Sequence, residues 1–505
     1  MAQDVLSDGF VKLCIDPSLN FSDGKCRVLL EGQYIPSLTT PVPADVIIKV
    51  NGLRNVETMF GAGSVLSESI KRVLCACEDQ IDLYVLPRLD AEDAVSAVYT
   101  LTVTGPATSD GRFTLFAGDS AYDIDILVES GDNAATIAAA IAAAFTSAFP
   151  FTVTATAGVV TFTAKNGGTV GNHLNLVYNW AGRSNYAPTG VTVAFAQTVQ
   201  GATDPTGPAA GYRDIIGQCC YSCYALLSDN NAWQTAMRDH IRDAWDCSKP
   251  QCFGHGYTYN SGTVGQIIAR GDNSMEWSRL ACHTDDPLLP YLKVANYAAL
   301  SCCTACSSPE LSIQGPTNGL LTCVAMPESC SALFSWDDIT ALQDAGFVVT
   351  GPANTGSGTL TNPYIFNDVT NYLFDDLGRD NQTYRATSSV RLATSTALSL
   401  ATKLQEFNGV ALFTKNTNVA RGVRGTNPRL ILASIRAWAT ANIGILFSEF
   451  DNMDTDITLQ TDFEVAQRCA GVPGRLHLNV KYRPPVRISD FDVNMQPALL
   501  DNCNR

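Results

Sequence analysis

The chain has 505 residues, too many for one ordinary hydrophobic core, so two to four domains are expected. Hydrophobic residues make up 46%, as in globular proteins, but charged residues only 16% against a usual ~25%, so Ser, Thr, Asn and Gly, or a partner, must cover the surface, which favours a subunit of an assembly. A formal net charge of −16 argues against nucleic acid as the main ligand, and no window approaches the ~20 apolar residues of a membrane-spanning helix.

The N-terminus, MAQDVLSDGFVKL, is acidic and lacks the apolar centre of a signal peptide, so the cytoplasm is the expected compartment. Residues 1–22 read as an extended arm: Val11, Leu13 and Ile15 alternate with polar neighbours, and Asp16, Pro17 and Ser18 end the run. A strand follows from Cys26 (CRVLLEGQYI), then a proline-bearing loop, a second strand (DVIIKV, 45–50), and Met59–Ser64 (MFGAGS) leading into a helix over 67–75. The Gly-x-Gly before that helix lacks both a third glycine and a Walker lysine, so its glycines are read as allowing close packing rather than phosphate binding. Residues 81–87 (IDLYVLP) form a buried strand.

From 95 to 205 the composition turns to Thr, Val, Ala and Gly. Seven strand-like runs alternate apolar and polar residues, which leaves one sheet face solvated. A single alanine-rich helix, with Ile137 and Ile141 four apart, covers the other face. This stretch reads as a β-rich α+β domain inserted between two parts of a host. The host resumes with alternating helices and strands, the pattern of a mainly parallel α/β layer. One helix carries Trp233, Met237, Ile241 and Trp245 on a single stripe and is capped by Asp229 or Asn230. Helices are also expected at 263–270, 288–302, 336–345, 388–406 and 428–442.

The end of the chain again looks like strands. Leu476, Leu478, Val480 and Tyr482 alternate; Pro484 and Pro485 interrupt; Val486, Ile488, Phe491 and Val493 follow. Taken alone, this is either a hairpin finishing a local sheet or an arm that adds a strand to a neighbouring copy.

No catalytic constellation stands out. None of H-E-x-x-H, G-x-S-x-G or a Walker motif occurs. The paired carboxylates Asp285/Asp286 and Asp375/Asp376 read as solvated or helix-capping, and His255 as a hydrogen-bonded strand-end residue. The seventeen cysteines include two C-x-x-C pairs, Cys220/Cys223 and Cys303/Cys306, each in an apolar run unlike a metal knuckle. Buried thiols are the expectation, with late disulfides and a metal site as alternatives. No metal or other cofactor is expected.

In their order, several segments resemble the contractile tail sheath proteins of Mu-like and related myophages. They are Phe60–Leu66 (FGAGSVL), Gly111–Leu115 (GRFTL), the helix Ala134–Ala144, Val160–Ala164 (VTFTA), Asn166–Asn172 (NGGTVGN), Gly190–Val193 (GVTV), Met237–His240 (MRDH), Gly254–Gly256 (GHG) with Gly262–Gln266 (GTVGQ), and Trp336–Ile339 (WDDI). Little aligns from Ile365 to Asn427.

The resemblance implies an α/β and α+β multidomain fold: a tail-sheath-like core with an inserted β-rich α+β domain and extended N- and C-terminal β-arms. The corresponding boundaries are 1–22 for the N-terminal arm, 23–94 with 206–370 for the outer and middle α/β domain, 95–205 for the insertion, 371–483 for the inner C-terminal domain and 484–505 for the C-terminal arm. It implies no enzyme activity. It also implies hexameric rings of this chain stacked helically around a tail tube protein, with baseplate and tail terminator proteins as further partners. No nucleic-acid contact or membrane insertion is implied. The arms, through Val11, Leu13, Ile15, Val486, Ile488, Phe491 and Val493, would link neighbouring subunits, and Arg421, Arg424 and Arg429 would face an acidic tube. Rival readings are another tail tube or baseplate protein, a surface adhesin, or a metal-dependent enzyme built on His255, His283 and the cysteines.

Overall fold

The structure, a computed structural model of the chain, describes residues 26–37, 41–77, 80–180, 184–217, 219–245, 252–327, 333–352, 360–375, 377–381, 383–407, 409–413, 420, 422–461 and 476–480. The chain divides into two compact units, Met1–Gly409 and Val410–Arg505.

The first unit opens with β1 (Cys26–Gln33), β2 (Ile48–Val50), α1 (Val56–Phe60), α2 (Val65–Cys77) and β3 (Ile81–Arg88). Residues 98–199 then form two antiparallel sheets of their own from β4 (Val98–Thr104), β5 (Gly111–Ala117), β6 (Asp123–Val128), β7 (Phe151–Thr156), β8 (Val159–Ala164), β9 (Leu176–Tyr178) and β10 (Thr192–Val199). Their orders are β10-β4-β8-β7 and β6-β5-β9. Between β6 and β7 runs α3 (Ala134–Ala144), which buries Ile137, Ala138 and Ile141 against β4, β6, β7 and β8. Asn133 caps it by accepting from the Thr136 amide at 3.0 Å. Strands β7 and β8 alternate buried and more exposed positions, so the even spacing of Phe151, Val153, Val160 and Phe162 puts one face on the helix and leaves threonines on the other.

After this segment come α4 (Tyr212–Ile216), β11 (Cys223–Leu226), α5 (Asn231–Trp245), β12 (His255–Gly262), α6 (Val264–Ile268), β13 (Trp277–His283), α7 (Pro290–Ser307), α8 (Gly315–Asn318), β14 (Met326–Pro327), α9 (Trp336–Asp344), β15 (Val348–Pro352), β16 (Leu360–Thr361), β17 (Pro363–Ile365) and α10 (Thr387–Gln405). Eight strands from before and after residues 98–199 build one sheet, in the order β17-β15-β13-β12-β11-β1-β3-β2. The six inner strands are parallel, while the edge strands β2 and β17 pair antiparallel. A parallel sheet needs both faces covered, and β1 shows how. Its Val28 and Leu30 join the core with α2 and α7, and its Leu29 joins the core with α4, α5 and α10.

The stripe read from sequence on α5 is buried throughout: Trp233, Met237, Ile241 and Trp245. Asn230 is its cap, accepting from the Trp233 amide at 3.0 Å. Helix α7 lies between the sheet and α2 and is buried on nearly every side, which accounts for its apolar, cysteine-bearing run. The first unit includes α10, whereas the sequence reading starts its C-terminal domain at 371.

The second unit contains β18 (Ala411–Leu412), β19 (Gly425–Thr426), α11 (Pro428–Ala441), α12 (Met453–Asp456), β20 (Ile457–Thr461) and β21 (Leu476–Val480). Helix α11 begins with Pro428 behind an Asn427 cap and buries Ile431, Ile435 and Ala439. It packs against β20, which pairs antiparallel with β21.

Candidate assembly surfaces

The F-G-A-G-S motif is a joint between the 98–199 segment and the parallel sheet. Ser64 caps α2 by accepting from the Ser67 amide at 3.0 Å, and Asn166 Oδ1 accepts from the Val65 amide at 3.0 Å. The helix N-terminus that a phosphate would need is therefore occupied by the protein itself. Lys165 Nζ donates to the Ala62 carbonyl at 2.9 Å. Gly63 stands at φ 77°, and a Cβ there would lie 2.3 Å from the Phe149 carbonyl oxygen. Only glycine permits that approach.

The NGGTVGN motif serves the same seam. Asp90 accepts from Gln33 at 2.7 Å, Asn166 at 3.1 Å and the Gly167 amide at 2.7 Å. Asp204 accepts from the Thr169 amide at 2.6 Å and from Asn230 at 3.2 Å. Asn175 donates to the carbonyls of Thr284 and Asp286 at 2.7 and 2.9 Å, and Arg72 pairs with Asp119. These contacts make the segment a fixed part of the first unit.

Two of the buried charge networks among the described residues of this unit were not singled out from sequence. In the first, Glu31 lies in the C-terminal half of β1 and is fully buried. It accepts from the Tyr212 hydroxyl at 2.7 Å and from Trp233 Nε1 at 3.0 Å, with Arg88 Nε 3.7 Å away. Burial pushes its carboxyl up to about 7, against the opposing pull of Arg88 and the two donors. In the second, Asp368 faces Arg391 of α10 at 2.8 Å and accepts from the Tyr297 hydroxyl at 2.5 Å and the Ile313 amide at 3.1 Å. Burial alone would raise this carboxyl; Arg391 and the two donors outweigh it and hold it below its ordinary value. Arg391 also donates to Ser301 Oγ at 2.9 Å and to the Leu311 carbonyl at 2.6 Å, which ties α10 to α7. A charged residue inside an apolar strand run, as in VLLEGQ, was the available signal for Glu31.

The polar residues weighed as chemistry have structural roles. His255 is buried, its Nε2 lies 2.9 Å from Ser278 Oγ, and burial pushes its imidazole down to about 3, so it is neutral. Asp286 is buried against Lys293 while Asp285 is exposed. Asp375 accepts from the amides of Leu377 and Arg379 at 3.0 and 2.8 Å, and Asp376 lies outside the described residues. Asp338 and Ser335 form a reciprocal cap at the start of α9, in the W-D-D-I segment.

The cysteines correct the expectation of plain buried thiols in part: eight of the described ones form disulfides, the alternative reading, while Cys223, Cys282 and Cys302 are buried thiols. Cys26 pairs with Cys306, Cys75 with Cys323, Cys77 with Cys303 and Cys220 with Cys252. Both C-x-x-C pairs are thereby split rather than convergent. Among the described residues, Cys219, Cys223, Cys282 and Cys302 remain thiols. The first three disulfides join positions 280, 248 and 226 residues apart: β1 to α7, α2 to the stretch between α8 and β14, and α2 to α7, proximities that tertiary packing creates and local spacing cannot announce.

In the second unit, β20 and β21 form a two-stranded ladder running from Ile457 opposite Val480 to Thr461 opposite Leu476. Among the described residues neither strand has a further partner. Arg424 and Arg429 are exposed and, among the described residues, make no ion pair; Arg436 pairs with Asp454 at 2.6 Å. Val11, Leu13, Ile15, Arg421, Val486, Ile488, Phe491 and Val493 lie outside the described residues. No helix among the described residues is long and apolar enough to cross a membrane.

No protein-family model matches the chain. Over 448 residues, 86% of this chain and 87% of the relative, it is 24% identical to the Mu-like prophage FluMu tail sheath protein of Haemophilus influenzae. Among solved structures it is similar to a sheath tail protein from Desulfitobacterium hafniense, with 13% identity, a TM-score of 0.45, and 90% of this chain and 94% of that one covered. A sheath tail protein from Listeria innocua gives 12% identity and a TM-score of 0.46, with 91% and 92% covered. The sequence relative is a structural tail sheath protein rather than an enzyme, and the resemblance read from the motifs extends over most of the chain.

Proposed function

We propose that this chain, a homologue of a Mu-like tail sheath protein, is the structural subunit of a contractile phage tail sheath. The match to that sheath protein over 448 residues carries the reading. Subunits assemble in the host cytoplasm as hexameric rings stacked around a tail tube, between a baseplate and a tail terminator. The sheath contracts to drive the tube through the host envelope. Contraction draws its energy from a second, lower-energy packing of the same folded subunits, which requires rigid bodies that move on preserved linkages. The seam of hydrogen bonds around Asn166 and Asp90 supports such rigidity in the first unit.

The linkages are the terminal arms, 1–22 and 484–505. Among the described residues β20 and β21 have no partner strand on their outer edges, and a strand from a neighbouring subunit could add there. Residues 95–205 are the inserted surface domain, and Arg424 and Arg429, with Arg421, face the tube. Deleting residues 484–505, which leaves β21 paired with β20, or those before Asp23, should leave a folded monomer that cannot polymerise. Sheath-like tubes from either truncated protein in electron micrographs would refute the linking role.

A further inference from the structure

We propose that Cys26, Cys75, Cys77, Cys303, Cys306 and Cys323 are sites of oxidative cross-linking, forming a three-bridge staple that locks the root of the N-terminal arm to the core. Cys26 is the first residue of β1, an inner strand of the parallel sheet. Cys75 and Cys77 lie in the last turn of α2, and Cys303 and Cys306 lie one turn apart near the end of α7. The bridges therefore converge on one corner of the first unit, where β1 enters the sheet and α2 and α7 end.

The Cα separations of 5.9, 6.1 and 6.6 Å lie within the range that a disulfide spans without moving the backbone. Each bridge closes a loop of more than two hundred residues, which is where a cross-link constrains the unfolded chain most. The corner also packs without them: α2 and α7 share an apolar core through Leu66, Ile70, Val73, Leu292, Ala295 and Ala299. The reduced chain can therefore fold first and be oxidised afterwards.

Access fits that order. Cys306 and Cys75 are exposed and Cys26 is half-buried, so two of the three bridges are open to a soluble oxidant. Cys77 is buried and its bridge to Cys303 is the deepest. By contrast Cys302, one residue along α7, is fully buried; burial pushes its thiol well above the ordinary range, and it remains reduced.

The oxidant is a small-molecule disulfide of the glutathione class. The Cys306 thiolate attacks one oxidant sulfur, breaking its S–S bond and releasing one small thiolate. The Cys26 thiolate then attacks Cys306 Sγ, forming the protein disulfide and expelling the second small thiolate. The two protons lost by the cysteines go to the two thiolates released. The protein is oxidised by two electrons and the oxidant is reduced by two. Such bridges are scarce in a reducing cytoplasm and persist outside it, so the staple closes after synthesis.

The cross-links stand on geometry alone. Their consequence, that tension on residues 1–25 passes through Cys26 into α7 instead of peeling β1 from its end, rests on the sheath reading above.

The test uses the purified full chain, incubated with oxidised or reduced glutathione, unfolded and alkylated without reduction, and mapped by mass spectrometry. In the oxidised sample Cys26, Cys75, Cys77, Cys303, Cys306 and Cys323 should resist alkylation, and linked peptides should show the three stated pairs. Cys306→Ser changes an exposed position; Cys26 should then be alkylated or carry one glutathione, linked to no other peptide, while the other two bridges stay intact. Alkylation of Cys26 in the oxidised wild type, a Cys26 peptide linked to another cysteine peptide in Cys306→Ser, or stoichiometric zinc held by these thiols would overturn the proposal. If the protein forms no tubes while the three pairs are found, the sheath reading fails and the staple stands.

Discussion

Glu31→Gln isolates the buried carboxyl of β1 in the parallel sheet. The wild-type carboxyl is raised from 4.5 to about 7 in the folded chain, chiefly by burial. Below about pH 4.5 both folded and unfolded chains hold the proton, and Glu31 contributes no pH dependence. Between that value and about 7 the unfolded chain ionises while the folded chain keeps its proton, so stability falls as pH rises; above about 7 the loss is complete. The step from 4.5 to about 7, at about 1.36 kcal/mol per pH unit, amounts to about 3 kcal/mol. Glutamine keeps the shape and an acceptor oxygen for Trp233, its amide can donate to the Tyr212 hydroxyl oxygen, and Arg88 retains the Thr206 carbonyl at 2.7 Å. The variant should therefore gain on the wild type by up to about 3 kcal/mol between pH 5 and pH 8. Urea unfolding at the two pH values, followed by tryptophan fluorescence, reads this directly, because Trp233 lies in the network. An equal difference between variant and wild type at both pH values would refute the reasoning.

Two further substitutions probe the joints of the first unit. Arg391→Met leaves the Asp368 carboxylate buried without its cation and should cost about 3–5 kcal/mol, read as a lowered calorimetric midpoint; an unchanged midpoint would show that the pair does not hold α10. Asn166→Ala removes the acceptor for the Val65 amide and the donor to Asp90, and should cost about 0.5–2 kcal/mol with faster hydrogen exchange at the start of α2; unaltered exchange there would remove Asn166 from the joint.

Much of the first unit was legible because its signals are local. The four-residue spacing from Trp233 to Trp245 fixes the buried face of α5, and the alternation in 151–164 fixes which side chains of β7 and β8 meet α3. Strand partners were not legible. Alternation says which face is buried but not which strand lies alongside, so the split of the 98–199 strands into two sheets could not be read. Strand β20 was passed over because ITLQT is short and weakly patterned, although it is what gives Leu476–Val480 a partner within its own unit. The cysteine pairs and the Asp368–Arg391 pair escaped for a related reason: each is made by tertiary packing between distant segments. The F-G-A-G-S and N-G-G-T-V-G-N motifs were visible, but sequence could not show that they meet each other across one seam.

The central claim is that this chain polymerises into a sheath, and negative-stain imaging of the purified full-length protein tests it most directly. The account predicts rings or tubes with six subunits around the axis. A field of monodisperse particles, under conditions where the protein is folded, would contradict it.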